Sequence, residues 1–155
     1  MPIFKGRLLP PGVQAPALSP APLMQIGPIM AVLIEIPPAL SQQLASQNQP
    51  IPPPVTGVAL IDTGATLSGV HSPVLAQLGV ATVGLANVGT AGGQQQQNVY
   101  PIRIVMSQLN LGLDYNQVLG VDLSGTGYIA LLGRDVLQRM ILVYDGPGSE
   151  FSIMF

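Results

Sequence analysis

From residue 29 onward, apolar positions fall in short runs that glycine and proline interrupt, a pattern typical of β-strands joined by tight turns. In the clearest run, Ile102, Ile104 and Met106 alternate with polar Arg103 at the strand period of two. The runs predict strands over residues 29–36, 55–62, 99–106, 118–123, 128–132, 140–144 and 150–155.

Two internal segments depart from the strand pattern. Residues 41–54 are polar and end in prolines, which predicts a loop. Ser72-Pro73 predicts the start of a short helix, because serine is a good N-cap and proline suits the first helical position. Gly79 then ends that helix. The sequence therefore predicts an all-β protein with one or two short helices.

The first 28 residues are rich in proline and show no periodicity. Each proline fixes φ and removes a hydrogen-bond donor, so we expect an extended arm with little strand pairing of its own. The arm is either a free tail or a segment that lies on a partner surface, since its leucines would be costly to leave in water. We predict an arm over residues 1–28 and one domain over residues 29–155.

Composition narrows the class of protein. The chain has 155 residues, 48% of them apolar and only 8% charged, against about 25% charged in an average soluble domain. So apolar a chain is not disordered, and its 18 glycines and 16 prolines argue against a helical bundle. A net charge of −2 argues against a nucleic-acid partner. The absence of cysteine and the single histidine exclude thiol catalysis and metal sites that need thiolates or two imidazoles.

Membrane and export signals are not apparent in the sequence. No apolar run reaches the roughly 18 residues of a membrane span. Prolines interrupt the apolar stretch that follows the two basic residues near the N-terminus, which makes a poor signal peptide. We expect no secretion signal and leave the compartment open, with the cytoplasm slightly favoured.

The sharpest candidate for chemistry is the stretch Asp62-Thr63-Gly64-Ala65, which follows an aliphatic strand directly. A carboxylate at the end of a buried strand is costly unless hydrogen bonds satisfy it, and the N–H groups of the Gly64-Ala65 turn and the Thr63 hydroxyl are available for that. Read by itself, the tripeptide Asp-Thr-Gly is also compatible with an ordinary Asx-turn that closes a strand.

A second motif, Leu-Leu-Gly-Arg-Asp-Val-Leu, follows at residues 131–137 at a predicted strand-to-helix junction. Together the two motifs resemble the retropepsin family of aspartic proteases, which comprises the retroviral proteases and their cellular single-domain relatives. The resemblance extends over residues 29–155. It implies a closed all-β barrel, a homodimer, and hydrolysis of peptide bonds without metal or cofactor.

The resemblance assigns the chemistry to the first motif. It implies that Asp62 is the catalytic aspartate and that Thr63 locks two loops together across the dimer. It implies that Gly64 and Ala65 hold the substrate backbone beside the active site, Gly64 within the catalytic tripeptide. Leu131 of the second motif would line a pocket for a substrate side chain.

In that family a glycine-rich β-hairpin, the flap, closes over the bound peptide. Residues 87–97 fit this description, since their glycines permit the positive φ of a hairpin tip. Read instead as a phosphate-binding loop, the segment lacks the Lys-Ser/Thr pair and the helix that should follow. The substrate contacts implied here are Gly89, Thr90, Ala91, Gly92 and Gly93.

The subunit contact is the remaining implication. Arg134 would brace it, and the last strand would contribute Phe151, Ile153 and Phe155 to a sheet shared between subunits. In the viral enzymes an acidic residue after Asp-Thr-Gly-Ala pairs with this arginine, whereas here Thr66 and Leu67 follow. Arg134 therefore needs another acceptor, for which the sequence offers Asp135, Asp122 or a backbone carbonyl.

The presence of a single Asp-Thr-Gly motif in the chain also implies a dimer, given the reaction that the resemblance implies. This route of hydrolysis needs two carboxyl groups that share a water, one accepting a proton and the other donating one. None of the other aspartates is followed by Thr-Gly or Ser-Gly. A two-fold dimer would bring Asp62 and its symmetry mate together. The alternatives are a non-hydrolysing peptide-binding or assembly module on the same fold, and a structural β-protein with a chance Asp-Thr-Gly.

Overall fold

The computed structural model describes residues 2–7, 21–90 and 93–155, and this part of the chain is mostly β-structure. Its strands are β1 (Ile3–Arg7), β2 (Ile29–Glu35), β3 (Val55–Ile61), β4 (Gly69–His71), β5 (Gly84–Thr90), β6 (Gly93–Met106), β7 (Leu111–Val121), β8 (Ala130–Leu132), β9 (Ile141–Asp145) and β10 (Glu150–Met154). Its helices are α1 (Ala21–Ile26), α2 (Pro38–Ser46), α3 (Ser72–Gln77) and α4 (Arg134–Leu137).

Two sheets contain these strands. The larger sheet has the order β2-β3-β8-β4-β7-β6-β5, and β2 pairs in addition with β6. The pairs β3–β8 and β4–β7 are parallel, and the other pairs are antiparallel. The smaller sheet has the order β1-β10-β9 and is antiparallel. The parallel β3–β8 pair brings the ends of these two strands side by side.

The core follows from the alternation predicted for β6. Ile102, Ile104 and Met106 are completely buried, whereas Arg103 between them is not, which confirms the strand period of two. Arg103 instead binds Glu35 of β2 and Asp114 of β7 on the surface and so connects β6 to both of its neighbours. Side chains of the smaller sheet join the same buried cluster as those of the larger one.

The expectation of an extended N-terminal arm is wrong at both of its described ends. Residues 3–7 form β1, which pairs with β10 over five residues, and residues 21–26 form α1, whose Leu23 is fully buried. Strand β1 forms because one edge of β10 is open to pairing, and the proline content of the segment does not reveal this. Residues 8–20 lie outside the described residues, and the domain boundary at residue 28 stays a prediction.

The helices also differ from expectation. Four short helices occur in the described residues instead of one or two, and α2 occupies the first part of the segment predicted as a loop. Helix α3 begins at the predicted residue, but His71 is its N-cap and Ser72 does not cap it. The Ser72 hydroxyl donates instead to the carbonyl of Val121 at 3.3 Å. No helix among the described residues is long and apolar enough to span a membrane.

Candidate active site

Asp62 lies where β3 ends beside the parallel strand β8. Its N–H donates to the carbonyl of Leu132 at 2.9 Å, which continues the β3–β8 pairing by one residue. Its carboxylate oxygen Oδ1 accepts the N–H of Gly64 at 2.8 Å and the N–H of Ala65 at 3.3 Å. The expected hydrogen bonds from the backbone of the turn are therefore confirmed, and the one expected from the Thr63 hydroxyl is not among them. The Asx-turn and the candidate catalytic geometry are one and the same arrangement.

The glycine in this turn has a steric reason. A Cβ on Gly64 would lie 3.1 Å from Asp62 Oδ1, closer than side-chain carbons normally approach. Within the described residues no group hydrogen-bonds the second carboxylate oxygen, Oδ2. The turn thus holds one oxygen of Asp62 by backbone donors and leaves the other available for chemistry.

The second motif, residues 131–137, supports the Asp62 loop through backbone hydrogen bonds. The N–H of Arg134 donates to the carbonyl of Ala65 at 2.9 Å, and the N–H of Asp135 donates to the carbonyl of Thr66 at 3.3 Å. A Cβ on Gly133 would lie only 2.8 Å from the backbone carbon of Leu67. Only glycine permits this approach of the two segments, so Gly133 is required by packing.

A buried clamp of Ser68 and Asp135 fastens the two segments together. The Asp135 carboxylate accepts the N–H of Ser68 at 2.9 Å and its hydroxyl at 2.7 Å. It also accepts the N–H of Val136 at 2.9 Å. The Ser68 hydroxyl oxygen in turn accepts the N–H of Gly133 at 2.9 Å, and Ser68 is fully buried. This clamp fixes the position of the loop that carries Asp62.

Arg134 has a hydrogen-bond acceptor among the residues that replace the acidic one of the viral enzymes, and that acceptor is Thr66. Arg134 Nη2 donates to the Thr66 hydroxyl at 2.7 Å. The suggestion that Asp135 or Asp122 accepts this hydrogen bond is wrong. Asp135 is engaged in the clamp, and Asp122 accepts the N–H of Ser124, whose hydrogen bonds lower the pKa of the Asp122 carboxyl.

A cavity of about 430 Å³ opens above Asp62. Its floor is the Asp62 loop, its roof is the hairpin of β5 and β6, and its sides come from β7 and β8. Asp62 is the one charged residue in its lining. The polar lining residues are Thr66, Asn87 and Gln97, and the aliphatic ones with at least three side-chain carbons are Leu67, Val88, Leu119, Val121 and Leu131.

The hairpin predicted over residues 87–97 is confirmed as a paired structure. Strands β5 and β6 pair from Gly84 opposite Val99 to Thr90 opposite Gly93. Gly93 has φ +112°, a conformation that favours glycine, whereas Gly89 does not have a positive φ. Ala91 and Gly92 lie outside the described residues, as does the side chain of Thr90.

Part of the predicted site assembles around this one cavity. Its lining includes Asp62, Gly64, Ala65, Gly89 and Leu131. It does not include Thr63 or Gly93, both of which are exposed. Their roles in the dimer and in substrate binding stay predictions.

The residues assigned to the subunit contact lie elsewhere. The side chains of Phe151 and Ile153 are buried in the chain's own core, and the ring of Phe151 packs on that of Phe4 with centroids 5.8 Å apart. Phe155 is 43% exposed, and Arg134 is exposed beside Thr66. Their assignment to a dimer interface remains a prediction, and in the single chain Phe151 and Ile153 have almost no surface to offer a partner.

The sequence alone did not assign several residues of the site to it. Ser68 and Asp135 meet across 67 positions of sequence, and no local pattern announces such a pair. Gln97 had a usable signal, because it lies two residues before Val99 on the same face of β6, and Val99 is buried. The described residues hold no cluster of three or more His, Cys, Asp or Glu side chains that suits a metal ion.

Comparisons with known proteins add a structural likeness. No protein-family model matches the chain, and no curated protein matches it. Among solved structures, the chain is similar to the crystal structure of a retropepsin-like aspartic protease from Rickettsia conorii, with 14% identity and a TM-score of 0.42. The match covers 97% of this chain and 92% of the other. A likeness at this level establishes neither a family nor an activity.

Proposed function

We propose that the chain is an aspartic endopeptidase that works as a homodimer, with Asp62 of each subunit contributing one carboxyl group. The observation that carries this proposal is the setting of Asp62. Its carboxylate is held by two backbone N–H groups at the floor of a cavity that contains no other charged side chain. A lone, positioned carboxylate in a cavity with otherwise uncharged walls suits proton transfer to and from a bound peptide.

The chemistry requires two such carboxyl groups about 3 Å apart, which do not ionise together easily and therefore share one proton. The ionised carboxylate accepts a proton from water while the water oxygen bonds to the peptide carbonyl carbon. The protonated carboxyl group donates to the carbonyl oxygen. In the second step the C–N bond breaks as the nitrogen takes the proton of one carboxyl group and a hydroxyl of the diol intermediate gives its proton to the other carboxylate. A carboxylic acid and an amine leave, and the pair again holds one proton.

The fold gives this proposal further support. Strand β2 pairs with both β3 and β6, so the pairings of the larger sheet return to their starting strand, as they would in a closed barrel. Thr63 lies exposed at the mouth of the Asp62 turn, where a two-fold axis would bring it to its counterpart. The hairpin of β5 and β6 would serve as the flap, and an extended substrate would lie beneath it and form strand-like hydrogen bonds.

The rival function, a peptide-binding module without hydrolysis, has two features in its favour: Thr66 in place of an acidic residue, and the glutamine-rich hairpin. The Thr66 hydroxyl accepts the hydrogen bond of Arg134, so the second motif keeps a partner without that acidic residue. The departure from the viral pattern therefore no longer argues for loss of activity.

The test is cleavage of a peptide library by the wild-type chain and by Asp62→Asn. We expect Asp62→Asn to lower kcat/KM by about 10³-fold or more, because asparagine neither accepts nor donates the catalytic proton. Asp145→Asn is the matched control, since Asp145 is exposed at the end of β9 in the other sheet. Circular dichroism and sedimentation should show that both variants keep the fold and the dimer.

The outcomes separate the hypotheses. Undiminished cleavage by Asp62→Asn would overturn the assignment of the catalytic residue. Tight peptide binding with no cleavage by the wild-type chain would favour the binding module. A monomer at every concentration that supports cleavage would exclude the shared pair of carboxyl groups. A rate that peaks in mildly acidic solution is expected, where the pair holds a single proton.

A further inference from the structure

Gln97 carries a buried hydrogen-bond acceptor that no described residue satisfies. In the described part of the chain its side-chain oxygen, Oε1, is one of two buried side-chain polar atoms without a hydrogen-bond partner. A buried acceptor without a donor costs free energy, so such an atom in a native structure calls for an explanation. The other such atom, the Tyr115 hydroxyl, does not line the cavity, whereas Gln97 does.

The position of Gln97 along β6 makes its polarity notable. Gln95, Gln97 and Val99 share one face of the strand, on which Gln95 is exposed, Gln97 is half-buried and Val99 is 2% exposed. Gln97 is thus the point at which this face enters the protein, and it lies opposite Ala86 of β5. An aliphatic residue would suit that point if the cavity held only aliphatic groups.

The remainder of the lining defines what Gln97 can recognise. The side walls are aliphatic, Asp62 is the one charged group, and Asn87 places a second carboxamide in the same roof. A cationic or anionic substrate side chain would therefore find no opposite charge apart from the catalytic carboxylate. A neutral side chain with an apolar stem and a hydrogen-bonding end fits this lining, because the stem can pack against the aliphatic side walls and the end can pair with a carboxamide of the roof.

We propose that Gln97 is a specificity-determining residue that pairs with a carboxamide side chain, glutamine or asparagine, of the peptide. This inference rests on the proposed function, because it takes the cavity to be the substrate site. The last torsion of a glutamine side chain is soft, so the amide can turn toward the occupant. Two carboxamides can then pair reciprocally, each donating one N–H and accepting one, which satisfies Oε1.

The experiment uses peptides that differ at one position in Gln, Met or Glu, with that position scanned along both sides of the scissile bond. Gln and Met have nearly the same shape but differ in hydrogen bonding. At one position we expect the wild-type chain to prefer Gln over Met by about tenfold in kcat/KM, and to disfavour Glu. Gln97→Met should abolish or reverse the preference for Gln, because the reciprocal pair is lost.

Gln95→Met is the matched control, since it makes the same change on the same face of β6 but outside the cavity lining. It should leave the Gln-to-Met ratio unchanged. Thermal unfolding checks the fold. Gln97→Met should melt at the wild-type temperature or above it, because the substitution removes the unpaired oxygen.

A binding measurement makes the outcomes distinguishable. The same peptides are titrated calorimetrically into full-length Asp62→Asn, with and without Gln97→Met. Cleavage with an unaltered Gln-to-Met ratio in Gln97→Met would overturn the inference and leave the peptidase standing. Gln97-dependent binding without any cleavage would overturn the peptidase and support the inference. Absence of both binding and cleavage would overturn both.

Discussion

The floor and the roof of the cavity are held in different ways. The floor, residues 62–68 with residues 132–136, is fastened by backbone hydrogen bonds and by the buried clamp of Ser68 and Asp135. The roof, the β5–β6 hairpin, is held mainly by its own ladder, and most of its side chains are exposed. Leu85, for instance, is 62% exposed.

The two regions therefore control different properties: the floor controls the stability of the protein, and the roof controls what the cavity accepts. In the floor, side chains and backbone donors satisfy one another, so a substitution leaves buried groups unpaired and lowers stability. In the roof, few side chains support the fold, so a substitution changes what the cavity accepts and leaves stability nearly unchanged. The comparison makes opposite predictions for similar substitutions in the two regions.

The largest effect is expected for Asp135→Ala in the floor. It leaves the N–H and hydroxyl of buried Ser68 without their acceptor, so the free energy of unfolding should fall by about 3 kcal/mol. Urea denaturation measures this. Asp122→Ala is the control, because Asp122 is exposed and its hydrogen bonds go only two residues along the chain, to Ser124, so its loss should be far smaller. Equal losses in the two variants would mean that the clamp does not hold the floor.

A pair of glycine substitutions contrasts the two regions more directly. Gly133→Ala forces a Cβ to within 2.8 Å of the backbone of Leu67, which cannot move aside, so we expect a loss of about 2 kcal/mol and impaired cleavage. Gly84→Ala in the hairpin meets only Val99 at 3.8 Å, an ordinary contact. It should be neutral or stabilise by about 0.5 kcal/mol through the unfolded state. Equal unfolding midpoints would contradict the comparison.

Only part of the floor could be predicted from the sequence, because its contacts depend on different kinds of information. Asp62, Gly64 and Leu131 reach one cavity because each follows or lies in an aliphatic run, and β3 and β8 pair in parallel. Those runs are visible in the sequence. The acceptor of Arg134 was not visible, since a threonine hydroxyl that happens to face a guanidinium carries no pattern.

Elements without a periodic signal were missed for the same reason. Helix α2 has no buried residue among those of its own span, so no apolar period marks it, and its start at Pro38 was read as a break. Strand β1 depends on β10, its pairing partner nearly 150 positions away. Local propensity predicts strands that bury one face, whereas pairing across the whole chain decides the rest.

The smallest effect is expected for Tyr115→Phe, which distinguishes the two buried side-chain atoms that lack a hydrogen-bond partner in the described part of the chain. The Tyr115 hydroxyl is buried without a partner, and burial, followed by the charge of Asp135, raises the pKa of its phenol to about 12. Because it does not line the cavity, its loss should not alter peptide preference, unlike that of the Gln97 amide. At neutral pH the variant should be as stable as the wild type or more stable by up to about 1 kcal/mol.

The raised pKa of Tyr115 determines how the stability difference between the variant and the wild type changes at alkaline pH. The unfolded chain releases the phenol proton near the ordinary value of about 10, whereas the folded chain retains it up to a pKa of about 12. The wild type therefore loses stability between these values as pH rises, and Tyr115→Phe lacks that loss. Unfolding curves at pH 9, 11 and 12 should show the advantage of the variant growing with pH. A constant difference would mean that the hydroxyl is hydrated in solution, and a changed peptide preference would mean that the cavity reaches Tyr115.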